Sequence, residues 1–146
     1  MRKWLRPRFG LRLLMLAVTA FAIGFPIWYR WPYEEVRELD DFSSRVTTWQ
    51  RQWGGRRLRH GPERHFADGQ LSFLMTYRDG LMHGPNFSYS IRTGANNKLV
   101  RDSEPAEAGD YLDDEKHGAW THVDSDGQKT VTHWHHGRQI DPKSAN

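Results

Sequence analysis

"HGPERHFADGQLSFLMTYRDGLMHG", residues 60–84, decides the fold class. The stretch opens and closes on His-Gly, His60-Gly61 and His83-Gly84, with the two glycines 23 residues apart. Between them stand an aromatic (Phe66), the dipeptide Asp68-Gly69, a run ending at Tyr77, and a second dipeptide, Asp79-Gly80. Asp-Gly marks a tight hairpin turn, because glycine takes a positive φ without a steric cost. The run between the dipeptides places Leu71, Phe73, Met75 and Tyr77 at every second position, which predicts one face of a strand.

Working outward, the order repeats. "HGAWTHVDSDGQKTVTHWHHG", residues 117–137, carries His117-Gly118, Trp120, Asp126-Gly127, Trp134 and, three residues later, Gly137. A middle copy begins at His83-Gly84 and continues through Phe87, Tyr89 and Ile91, expected to share one face of a strand. The segment 95–110 interrupts it, and the pattern resumes at Tyr111. An isolated hairpin is marginal in water, so the copies are expected to pack side by side with their aromatics in a shared core. The predicted fold class is mainly β, an array of antiparallel hairpins over residues 58–140.

This order of His-Gly, aromatic, Asp-Gly and aromatic-x-x-Gly resembles the MORN repeat, and is closest to its bacterial variant form, sometimes labelled antitoxin-like. The resemblance implies an elongated hairpin array that makes protein or lipid contacts, and it implies no reaction. The Tyr-x-Gly-x-Trp opening of many copies is poorly kept, and the acidic insertion splits the middle copy.

All eight histidines fall in the repeat region. Recurrence of His60, His83 and His117 before glycine suits a structural role, such as a hydrogen bond across a turn. His133 and His135, two apart on a predicted strand, share a face that His122 can approach, whereas His136 is expected to point elsewhere. Three imidazoles can hold Zn²⁺ with an open fourth position. The chain has no His-Glu-x-x-His spacing to supply a carboxylate base. His122, His133 and His135 are therefore weak metal candidates, and no metal, cofactor or catalytic residue is assigned. Seven acids crowd residues 102–115 without EF-hand spacing, which predicts a solvated loop.

Ahead of the repeats, Val36, Leu39, Phe42, Val46, Trp49 and Trp53 recur at steps of three and four. This spacing predicts an amphipathic helix over residues 34–53, stopped by Gly54-Gly55 and covering one side of the sheet. Earlier still, Leu13–Tyr29 is 17 residues without a charge, followed by the aromatic Trp31. About 17–20 apolar residues suffice to cross a bilayer, and aromatic rings favour its interface. Residues 13–31 are read as a membrane anchor behind a basic cytoplasmic leader at 1–12. A removable signal peptide is the competing reading, with Ala20-Phe21-Ala22 as its small-x-small site. The basic flank predicts a single-pass protein of the cell membrane with its body outside the cytoplasm.

Charge also bounds the partners. Of 21 Lys and Arg, six lie in residues 1–30 with no acid, leaving 15 against 18 acids and a net −3 beyond. The body therefore lacks the extended positive surface that a nucleic-acid strand requires. Absence of cysteine excludes disulfides and thiol chemistry. Residues 141–146 read as a tail. The sequence points to a membrane-anchored, non-catalytic module that binds a protein or the envelope surface. An antitoxin-like neutraliser, suggested by the resemblance alone, is the alternative, and a His-cluster metal-binding protein is a third.

Overall fold

A computed structural model describes residues 10–94 and 98–141. The chain divides between Trp31 and Pro32 into two units. The leader before Gly10 and the tail after Asp141 lie outside the described residues, as do 95–97 of the insertion.

The first unit is helix α1, Leu11–Tyr29, 19 residues long. At 1.5 Å per residue it extends about 28 Å, close to the hydrocarbon thickness of a bilayer. It is long and apolar enough to cross a membrane. The helix starts two residues before the expected span, taking in Arg12, and ends before Trp31. Pro26 lacks an N–H for the helix ladder, and Phe25 fills the same region by stacking on Phe21 and Tyr29.

The second unit is β structure. Its strands are β1 (Tyr33–Asp40), β2 (Ser43–Arg51), β3 (Arg57–Ala67), β4 (Gln70–Arg78), β5 (Leu81–Ser88), β6 (Ile91–Thr93), β7 (Leu99–Arg101), β8 (Glu107–Leu112), β9 (Glu115–Val123), β10 (Lys129–His135) and β11 (Arg138–Ile140). Nine form one antiparallel sheet in the order β1-β2-β3-β4-β5-β8-β9-β10-β11, while β6 and β7 pair separately. The expected hairpin array is present, preceded by the apolar helix.

Several local expectations are corrected. Residues 34–53 form the β1–β2 hairpin and not a helix. Asp40 Oδ1 accepts a hydrogen bond from the Phe42 N–H and sets the turn. The β-branched run Val46-Thr47-Thr48 suits a strand, and β3 supplies a second partner. The three-and-four spacing has no shared face: Val36 pairs with Val46, while Trp49 lies on the opposite side with Tyr33. Tertiary pairing has overridden helical periodicity.

The acidic insertion is not a single solvated loop. Leu99–Arg101 returns along β6, and Glu107–Leu112 enters the main sheet between β5 and β9. The excursion spans the region from Tyr89 to Ala106, and Gln70 ties it down by hydrogen bonds to the Leu99 carbonyl and the Arg101 N–H. Phe87 and Ile91 consequently belong to different strands. In β4, a register shift puts Leu71 opposite Phe66 while Phe73 stands opposite His65. Leu71 thus leaves the face shared by Phe73, Met75 and Tyr77.

Burial is concentrated in few side chains. Among the described residues Trp120 is the buried large apolar side chain, 3% exposed, with Thr47, Thr48, Glu63 and Asn86 the buried polar ones. Substantial packing in the second unit runs only between hydrogen-bonded neighbours in a sheet. The core is therefore a line of side chains on one layer, rather than a slab between two.

Candidate functional site

The register gives the sheet two chemically different faces. On one, aromatic rings alternate with cations from β1 to β10. Arg51 lies over Tyr33, Arg57 over Trp49 and Arg59 over Tyr77, each within about 5 Å of the ring centroid. At the other end Lys116 sits 3.9 Å from the Trp120 ring and 5.4 Å from Trp134. Buried Glu63 anchors this face: His65 Nε2 is 2.9 Å away, Arg59 Nε 3.5 Å and Arg45 Nε 3.8 Å. A hydrogen bond that Arg57 donates to the Tyr33 oxygen, together with the nearby Glu35 carboxylate, holds the Arg57 guanidinium above its ordinary pKa. The opposite face carries Val36, Val46, Leu58, Phe66, Leu74 and Phe87 by the same register. Val36 is 65% exposed and Val131, at the far end of that face, 52%.

The three His-Gly positions are bulges within strands. Thr47 pairs with Glu63 and Trp49 with Arg59, leaving two extra residues around His60-Gly61-Pro62. The same excess surrounds Gly84 in β5 and Gly118 in β9. The glycines have φ of +105°, +98° and +75°, a region that residues with a Cβ rarely occupy. Gly61 also lets Thr48 approach, where an added Cβ would stand 3.1 Å from Thr48 Cγ2.

Each bulged histidine meets the turn that follows in the sheet. Those turns have positive φ at both central residues: Asp79-Gly80, Asp113-Asp114 and His136-Gly137. His60 Nδ1 accepts from the Asp79 N–H at 3.4 Å, and His83 Nδ1 is 3.1 Å from Asp113 Oδ1. In the last copy the residue in Asp's place is His136. The rings of His117, His135 and His136 therefore gather with centroids 4.5–5.7 Å apart. His136 Nδ1 turns to Glu115 Oε2 at 3.3 Å, and the enclosed His117 Nδ1 has no hydrogen-bond partner. His136, expected to point away from His133 and His135, instead meets the His135 ring at 4.5 Å.

The trio His122, His133 and His135 is not assembled. His122 stands opposite Thr130 and His133 opposite Ala119, an odd number of residues apart along β10, so their side chains lie on different faces. Among the described residues no group of three His, Asp or Glu side chains is placed to hold a metal ion.

Of the other repeat positions, Trp120 lies over Gly109, where a Cβ would be 2.3 Å from the indole. Its Nε1 donates to the Asp110 carbonyl at 3.0 Å, and Tyr111 meets it edge-on at 5.1 Å. Trp134 Nε1 donates to Thr132 Oγ1. Asp68-Gly69 forms the β3–β4 turn with φ +50° and +72°. In the turn containing Asp126-Gly127, Asp124 Oδ1 accepts from the N–H groups of Asp126 and Gln128. Tyr77 accepts from Arg59 Nη1 through its hydroxyl. Sequence reasoning missed Glu63, Gly109, Asp113-Asp114 and the arginines of β2 and β3. Alternation along Arg57 and Arg59, with Glu63 in phase, was the available signal.

Comparison with protein-family profiles, curated proteins and solved structures finds no match for the chain.

Proposed function

We propose that the chain is a membrane-tethered, non-catalytic, MORN-like repeat module that binds a protein or the envelope surface through its sheet. Helix α1 serves as a single-pass anchor, and the β unit stands outside the cytoplasm. The observation that carries the reading is the single-layer sheet, whose apolar side exposes Val36 at one end and Val131 at the other. Exposed apolar side chains on a sheet face that no second layer covers suit an interaction surface. The recurrence of the bulge, the histidine and the following turn supports the MORN-like assignment. Orientation is supported by the basic residues that precede the span.

The test places a photo-crosslinking residue at Val36, at Val131, or at Gln128 in an exposed turn, in the full chain in native membranes. Discrete adducts are expected from the first two positions and not the third. No adducts, or the same adducts from all three, would overturn the binding role. C-terminal phosphatase and fluorescent-protein fusions report the side; a fluorescent, phosphatase-inactive pair would overturn the orientation.

A further inference from the structure

The cationic face contains a recess of about 240 Å³ between β1, β2 and β3, lined by Glu35 with Arg37, Arg45, Thr47, Trp49, Arg57 and Arg59. Four guanidiniums and one carboxylate line it, and Glu63, in contact with Arg45 and Arg59, supplies a second carboxylate. Two positive charges remain uncompensated. His65 faces Glu63 and Tyr33 faces Arg57, and neither is a carboxylate.

The donors are also incompletely used. Arg45 Nε and Trp49 Nε1 are enclosed N–H groups with no hydrogen-bond partner, and both residues line this recess. Glu63 Oε2 likewise has no hydrogen bond, but it lies 3.5 Å from Arg59 Nε. Arg37 reaches Glu35 only at 3.8 Å. Both atoms are closed to solvent, so what the recess offers a ligand is the excess of guanidinium charge that lines it. Guanidinium forks match the oxygens of phosphate in charge and geometry, and an aromatic wall holds the cations in place.

We propose that this recess binds a single phosphate-class oxyanion, carried by a small phosphorylated ligand or by a lipid headgroup. The assignment is compatible with the net negative charge of the body, because one compact site needs a local excess of charge, whereas a nucleic-acid strand needs an extended one. It stands apart from the proposed docking on the opposite, apolar face, and each can fail without the other.

The experiment is calorimetric titration of untagged full-length protein with sodium phosphate at fixed ionic strength. It is run in neutral detergent, in phosphatidylcholine nanodiscs, and in nanodiscs containing phosphatidylglycerol. Saturable binding in all three supports a free anion as ligand; binding lost only with phosphatidylglycerol supports a headgroup. Arg37→Gln and Arg45→Gln are each expected to weaken binding about tenfold or more, the effect of losing one charge-assisted hydrogen bond. Arg92→Gln, in the separate β6–β7 pair, is expected to leave it unchanged. Arg37 is mostly exposed, so its variant keeps the fold. No saturable binding in detergent, or Arg37→Gln binding as tightly as wild type, would overturn the proposal.

Discussion

The two ends of the sheet treat the same repeat frame differently. At β8–β9, an indole is buried, its N–H satisfied, its ring flanked by Tyr111 and Lys116 and seated on a glycine. At β2–β3, the buried residues are Thr47, Thr48 and Glu63, and N–H groups of Arg45 and Trp49 are left without acceptors. Apolar burial contributes about 25 cal/mol per Å² and a buried aromatic covers some 150–250 Å², so one tryptophan outweighs two threonines. The difference teaches that a hairpin array need not be uniformly stable. One end holds the sheet together, and the other keeps polar groups ready for a ligand.

The largest expected effect is at the stable end. Trp120→Ala is expected to cost about 3–5 kcal/mol, measured by urea unfolding of the detergent-solubilised chain. A loss below about 1 kcal/mol would remove the asymmetry. Gly109→Ala should cost about 1–3 kcal/mol by forcing the indole from its seat. Equal stability of this variant would mean that the ring has room to move.

Smaller effects belong to the histidine positions. His135→Ala is expected to cost under about 1 kcal/mol, since the ring is exposed and bonds to no buried group. A chelator is expected to leave the melting temperature of untagged protein unchanged, because His122, His133 and His135 do not converge. A chelator-sensitive melt with one equivalent of zinc would contradict the placement of those side chains. Smallest is the Asp40 turn. A hydrogen bond from the Ser43 side chain, then one from the Phe42 N–H, holds the exposed Asp40 carboxyl below its ordinary value of 3.8. Its contribution is therefore present above 3.8 and lost as pH falls through the lowered value. The Phe42 amide resonance should titrate with a midpoint below 3.8; a midpoint above it would place the carboxyl elsewhere.

How much was legible in the sequence follows from the range of each interaction. Asp68-Gly69 and Asp79-Gly80 encode their turns locally, so the hairpins around them could be read directly. Gly54-Gly55 was read correctly as a break, but in fact it separates two strands. The helix expected over 34–53 failed because six apolar residues at steps of three and four also fit two short strands. Pairing with β3, distant in sequence, decides between those readings. Asp113-Asp114 escaped notice because neither residue is glycine, though both adopt positive φ. Of the expected trio only His135 stands in the observed cluster, with His117 and His136 in place of His122 and His133: His136 occupies the turn position that Asp79 and Asp113 hold in earlier copies, which only the bulge register reveals. The arginine recess depends on alternation across three strands, two of which had been assigned to a helix.

Native-state hydrogen exchange, measured with and without phosphate, tests the asymmetry most directly, since it resolves local opening along one sheet. Without phosphate, the β8–β9 amides around Asp110 and Thr121 should be the most protected and those of β1–β2 the least. Phosphate should raise protection in β1–β3 and leave β8–β11 unchanged. Equal protection at the two ends without phosphate, or a uniform rise with it, would contradict the division between a stabilising end and a binding end.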